Sequence, residues 1–360
     1  MNHSADETRA SLANNLRYFI KWSLIALLIG GTGGLIGSLF SMGVSFATSF
    51  RMNHPNMLFF LPVSGILIVW LYHTFHEEGN RGTNMVIDAI SSTEKVTLAT
   101  GPLIFVSTVL THIAGGSSGR EGAALQLGGS LGNLFGNAIH LDEKDKKIAI
   151  MCGMSAVFSA LFGTPVAAAI FPLEVISIGV LYYAALVPCI FSSFIGVGIA
   201  RYLGIAGEHF TVLSIPAISV SSVGWIIFLS ALCAGVSIVF CLMLHGAEHT
   251  YRKIFPNPYV RILAASAIFI LLTLLIGTRD YCGSSMPLIE RSMEGEIGYE
   301  AFFLKMLFTA IALGAGFKGG EIVPTLCVGA AFGCAFGQIT GFAPSLCAAC
   351  SMAALFAGVT

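Results

Sequence analysis

Uncharged runs separated by short polar interruptions dominate this chain. Trp22 to Phe50, Met57 to Tyr72, Val96 to Thr111 and Ala123 to Ala138 are the first four, and each predicts an apolar helix. A compact charged stretch, Leu141 to Lys147, reads as a loop in water. The uncharged run Ile148 to Leu173 comes after it, broken into two pieces by Gly163-Thr164-Pro165 and closed by Glu174. Val175 to Ala200, Thr211 to Leu244 and Ile262 to Thr278 are further apolar stretches. After the polar region Arg279 to Glu300 come Ala301 to Phe317, interrupted by Lys305, and then Ile322 to Thr360, which carries no charge. Several runs are too short to cross a bilayer unaided. Gly82-Thr83-Asn84-Met85-Val86, after the connector His73 to Arg81, opens a short segment ending near Ser92. It reads either as a surface turn or as the end of a broken helix.

Composition turns this pattern into a class. Apolar residues make up 55% of the chain and charged residues only 10%, which excludes a soluble fold and predicts an all-α polytopic membrane protein. A net charge of −1 offers no basic surface for nucleic acid. Arg9, Arg17 and Lys21 flank the first run and place the N-terminus in the cytoplasm. That run is too long for a cleavable signal and stays as the first membrane helix. Small residues at Gly30, Gly31, Gly33, Gly34 and Gly37 would let a neighbouring helix approach it closely. Cys347 and Cys350 are spaced one helical turn apart, but buried cysteine is common and the pair is read as packing.

The chemistry gathers at Gly115-Gly116-Ser117-Ser118-Gly119-Arg120-Glu121-Gly122. An adjacent Arg and Glu between two apolar runs is expensive in lipid and points to function. Glycines let backbone approach a ligand and leave N–H groups free. The helix beyond aims its positive end at the same turn. Those are the components of an anion site.

The chain also repeats itself. An offset of 201 residues pairs Gly82 with Gly283, Met85 with Met286, Gly115 with Gly316, Gly119 with Gly320, Gly128 with Gly329 and Gly132 with Gly333. Beyond the charged stretch the offset falls to 198, pairing Met154 to Phe158 with Met352 to Phe356. Two related halves with broken helices in matching positions predict a transporter whose site lies between them. The organisation read from this is a cytoplasmic segment 1–21, a first membrane repeat 22–200 and a second repeat 211–360. The repeat places the partner of Thr164-Pro165 just past Thr360, so the counterpart of Thr164 to about Ala200 is expected in a longer chain.

From about Ser23 onward the chain resembles the CLC family of chloride channels and anion/proton exchangers. Gly119-Arg120-Glu121-Gly122 resembles that family's gating-glutamate motif, Gly82 to Val86 its first anion loop and Gly320-Glu321-Ile322-Val323-Pro324 its second. The resemblance implies a CLC fold with two inverted-topology repeats and re-entrant helices, in a bacterial inner membrane, as a homodimer with one pore per subunit. It implies no enzyme activity, no cofactor and no metal. Its substrates would be fluoride or chloride and protons. The chain departs from the chloride-type pattern at Thr83, Asn84, Ala123, Glu321 and Ile322, and Val175 stands where an inner proton glutamate is expected, one past Glu174. An acid in the second loop without that inner glutamate resembles the fluoride-exporting branch.

Physical chemistry favours the same branch. Fluoride holds its water tightly, so a site must offer strong donors; a protonated Glu321 can donate an O–H where an ionised one would repel. The resemblance therefore implies Glu121 as gate and proton carrier and Glu321 as coupling acid. Thr83, Asn84, Met85, Gly119, Arg120, Gly122, Gly320 and Ile322 would hold the anion. The plainer reading of Glu321 is an ion pair with Lys318, and that of Glu121 a local pair with Arg120. A chloride/proton exchanger and a chloride channel are the alternatives within transport. A different class is suggested by His245-Gly246-Ala247-Glu248-His249, an inverted zinc-protease pattern in which two His would bind metal and Glu248 act as base.

Overall fold

The computed structural model describes residues 2–79, 82–91, 97–175 and 182–359, and these fold almost entirely as helices. In chain order they are α1 (Asn2–Asn53), a 3₁₀ turn (Pro55–Phe60), α2 (Leu61–Thr74), α3 (Thr83–Ser91), α4 (Thr100–Ile113), α5 (Glu121–Ala138), α6 (Glu143–Phe162) and α7 (Pro165–Glu174). Then come α8 (Tyr183–Tyr202), α9 (Val220–Ile254), α10 (Pro258–Ile276), α11 (Met286–Glu294), α12 (Ala301–Ala315), α13 (Ile322–Thr340) and α14 (Pro344–Val359). Six of the described helical segments are long and apolar enough to cross a membrane, while α4, α7, α12 and α14 are apolar but shorter.

That difference in length positions the site. A 14-residue helix such as α4 rises about 21 Å, well short of the roughly 30 Å hydrocarbon core. The backbone beyond α4 and α12 therefore leaves its helix inside the bilayer, where it must be buried in protein to satisfy its polar groups. In both cases the next stretch of chain is a glycine loop.

The chain divides into two compact units. One comprises Met1–Met42, Asn80–Pro102 and Ala124–Glu208; the other comprises Gly43–Gly79, Leu103–Ala123 and His209–Thr360. Both α1 and α5 run from one unit into the other. In the first unit the glycines of α1 admit two neighbours. A Cβ on Gly34 would stand 2.9 Å from the Cα of Gly196 on α8, and one on Gly33 would stand 2.7 Å from the Ala156 side chain on α6. Ser192 of α8 donates to the Cys152 carbonyl of α6 at 2.9 Å. In the second unit, Leu229, Phe240 and Leu244 of α9 pack with Met306 of α12, Phe336 of α13 and Leu355 of α14. Cys347 lies in this core with its thiol on the Phe342 carbonyl, as its packing reading requires.

The repeat is written into the packing. A Cβ on Gly128 would strike the backbone of Gly153, and one on Gly329 would strike that of Ser351; Gly132 meets Ala149 as Gly333 meets Cys347. Each pair of contacts reproduces the fall in offset after the charged stretch.

Two expectations change. Leu141 to Lys147 is not all loop: Asp142 caps α6 by accepting from the Asp145 amide, so the charges after it form the first turn of that helix. Residues 211–219 form no helix, because Pro216 interrupts them and Ser219 starts α9 through a reciprocal capping box with Ser222.

Candidate functional site

Two loops of the second unit build the centre. α4 ends at Ile113 and the chain turns through Gly115, whose φ of 86° is left-handed, to reach Gly119, Arg120 and the start of α5. α12 ends at Ala315 and turns through Gly316, with φ of 110°, to reach Gly320, Glu321 and α13. The loops then join. Gly119 N–H donates to the Gly320 carbonyl at 2.6 Å and Gly320 N–H donates to the Gly119 carbonyl at 2.8 Å, an isolated antiparallel bridge. Gly119 and Gly320 are also repeat equivalents, so the two loops meet each other as a two-fold relation requires.

No side chain fits between them. A Cβ on Gly320 would come within 2.6 Å of the Gly122 amide, and one on Gly119 would collide with the Glu121 carboxylate. Glu121 is 1% exposed and turns back over this bridge. Its Oε2 accepts from the Val323 amide at 3.2 Å, and the Arg120 and Glu121 amides also point at the carboxylate. Its Oε1 has no hydrogen-bond partner among the described residues. A carboxylate thus sits on amides from both loops, at the N-termini of α5 and α13, where helix ends favour an anion. Arg120 contributes charge nearby, and backbone amides hold Glu121 as well.

Glu321 takes the other side of its loop. It stands at the N-cap of α13 with an exposed side chain. Lys318 does not pair with it: Nζ of Lys318 lies over the Tyr72 ring, 4.2 Å from the centroid. Ile322, half-buried, opens α13. The structure therefore gathers Gly119, Arg120, Glu121, Gly122, Gly320, Glu321 and Ile322 about one bridge.

Thr83 to Met85 belong to the first unit and open α3, which makes this stretch a helix terminus rather than a surface turn. Gly82 precedes it with φ of 70°, and the Met85 amide donates to the Gly82 carbonyl at 3.2 Å. Beside Gly82 lies Gln126, 2% exposed, whose Oε1 has no partner among the described residues. The side chain of Asn84 lies outside the described residues. Glu174 is exposed at the end of α7, with Val175 as its cap.

Sequence reasoning marks Lys305 only as an interruption, and the structure gives it more to do. It is fully buried; its Nζ donates to Ser117 Oγ at 2.7 Å and to the carbonyls of Gly283 at 2.9 Å and Tyr281 at 3.4 Å. Ser117 in turn shares a 2.9 Å hydrogen bond with Thr309. One ammonium so ties α12 to the first glycine loop and to the 281–283 turn. The signal was available, since a lone charge in an apolar run marks function or a built partner set.

The protease pattern is not assembled. Glu248, the base it needs, holds Arg252 at 2.7 Å, and the described residues contain no group of three or more His, Cys, Asp or Glu placed as metal ligands.

Known proteins are similar to this chain in sequence and in fold. The family model described as "Voltage gated chloride channel" matches residues 64–360. A "Chloride/fluoride channel protein" of Pseudomonas syringae pv. tomato is 29% identical over 350 residues, covering 95% of this chain and 77% of the relative. The "H(+)/Cl(-) exchange transporter ClcA" of Vibrio cholerae is 25% identical over 364 residues, covering 92% and 77%. Among solved structures, "a CLC-type fluoride/proton antiporter" superposes with a TM-score of 0.89 at 30% identity, covering 94% of this chain and 86% of that one.

Proposed function

The chain belongs to the voltage gated chloride channel family and is a polytopic membrane transporter of CLC fold rather than an enzyme; we propose that it exchanges fluoride for protons. The observation that carries this reading is the carboxylate of Glu121 on amides of both glycine loops. Those donors are what an anion would need, so carboxylate and anion compete for one place. An ionised Glu121 closes the cradle. Once protonated it loses its hold on the N–H groups, swings away and admits the anion, carrying a proton as it moves. Exchange results because the two occupants exclude each other.

Fluoride rather than chloride is supported by Glu321. A protonated Glu321, one residue from the α13 amides, adds an O–H donor for a small, strongly hydrated ion, and its ionised form would repel that ion. The relatives named for fluoride have the same bearing. The test is efflux from proteoliposomes loaded separately with fluoride and with chloride, with external pH recorded. Fluoride efflux accompanied by proton uptake is expected; equal coupled chloride flux would make the protein a chloride/proton exchanger, and efflux without proton movement would make it a channel.

A further inference from the structure

Gln126 is a buried amide that the exchange reading leaves unused. It lies on α5, five residues past Glu121, and is 2% exposed, yet its Oε1 has no hydrogen-bond partner among the described residues. An unmatched oxygen shut away from water is destabilising, and an apolar side chain of similar volume would be the more stable occupant. Something other than packing accounts for an amide at this position.

Packing fixes where the amide points. One turn further along α5, a Cβ on Gly129 would stand 2.2 Å from Cγ1 of Val86, so α3 rests directly on α5 there. Gln126 shares that face of α5. Its Nε2 stands 3.7 Å from the Cβ position of Gly82, the left-handed residue just ahead of α3. The repeat puts a side chain at the matching place in the second half. Offset by 201, Gln126 becomes Cys327 of α13, whose thiol donates to the Ser285 carbonyl at 3.8 Å, at the start of α11. There the protein fills its own loop, since Lys305 also donates to the Gly283 carbonyl at 2.9 Å. In the first repeat the counterpart of Lys305 is Ile104, which has no polar group to offer, and the counterpart of the bonded thiol is an amide with an unmatched oxygen.

We infer that Gln126 is an anion-binding side chain, which holds fluoride together with one of its waters at the start of α3. Its Nε2 donates to the ion beside a helix N-terminus, where negative charge is favoured. Its Oε1 accepts from an O–H of the retained water. An ion that keeps its hydration tightly is matched by both ends of one amide, whereas a donor alone would leave Oε1 unpaired. The side chain carries no charge and gives up no proton, so it adds to binding and not to proton coupling.

This inference rests on the fluoride/proton exchange reading and is tested on the full chain. Gln126→Leu and Gln126→Met keep the volume and lose both polar ends. In fluoride-free detergent their thermal unfolding midpoints should equal or exceed the parent's, because the buried unmatched oxygen is gone. In proteoliposomes the fluoride concentration for half-maximal efflux should rise roughly tenfold in each, with the protons moved per fluoride unchanged. Gln126→Asn keeps the amide on a shorter stem and should fall between. A midpoint below the parent's in both apolar variants marks Gln126 as structural and overturns the inference, as does a parental half-maximal concentration in either. A parent that moves no protons with fluoride overturns the exchange reading itself, whereas a coupled parent whose variants keep its half-maximal concentration overturns only the role of Gln126.

Discussion

The two glycine loops are repeat equivalents that bond to each other, yet they carry their acids one position apart: Glu121 pairs with Ile322 and Arg120 with Glu321. At a helix N-terminus, one residue turns a side chain by about 100°. Glu121 falls on the side facing the bridge and is 1% exposed; Glu321 falls at the N-cap and is exposed. The difference teaches that a near-symmetric frame can hold two carboxyls in unlike settings, one buried on backbone amides and one exposed at a helix start beside them.

Removing the first acid should have the largest effect. Glu121→Gln keeps the shape but cannot ionise, and fluoride-driven proton flux should fall by about a thousandfold, within the range for loss of a positioned acid or base. Flux at the parental level would mean that the bridge-facing acid is not the carrier. Next comes Glu321. Glu321→Gln keeps a donor and should retain fluoride binding, read by isothermal titration in detergent, while coupled flux drops by about a hundredfold. Glu321→Ala should lose binding as well; if both variants exchange at the parental rate, the one-residue shift has no functional meaning.

A third experiment tests the symmetry instead. Gly128→Ala and Gly329→Ala both drive a methyl into facing backbone. Each should cost about 1–3 kcal/mol by overpacking, read as a drop in thermal unfolding midpoint. Unequal costs would show that one half tolerates repacking the other does not. The smallest effect belongs to the surface. Lys21 pairs with Asp145 within the first unit while half exposed, and Lys21→Ala should shift stability by less than about 1 kcal/mol by the same measurement.

Much of this was legible in the sequence because packing imposes spacing. Gly128 and Gly132 lie four apart because α6 backbone crosses them there, and Gly329 and Gly333 repeat the pattern against α14. The site loops were legible for a related reason, since Gly119 and Gly320 must be glycine where the loops touch. Other features left no such trace. Hydropathy along the run Thr211 to Leu244 does not announce that helix starts only at Val220, because apolar chain has the same hydropathy inside a helix and outside one; only Pro216 and Ser219 mark the start. Lys318 reads as the neighbour of Glu321, but its partner is the ring of Tyr72 on α2, far away in the chain. Lys305 looks like an interruption until the carbonyls of Tyr281 and Gly283 close on it.

The reach of the Glu121 cradle along the chain has a consequence for how the protein is made. Its Val323 donor lies 202 residues downstream, so at synthesis rates of about 5–20 residues per second the first loop waits roughly 10–40 s for its second half. Through that interval Glu121 lacks the Val323 amide that later holds it. Closing so long a segment is also the kind of contact that forms late in folding. The donor set around Glu121 is therefore complete only after synthesis has passed the start of α13.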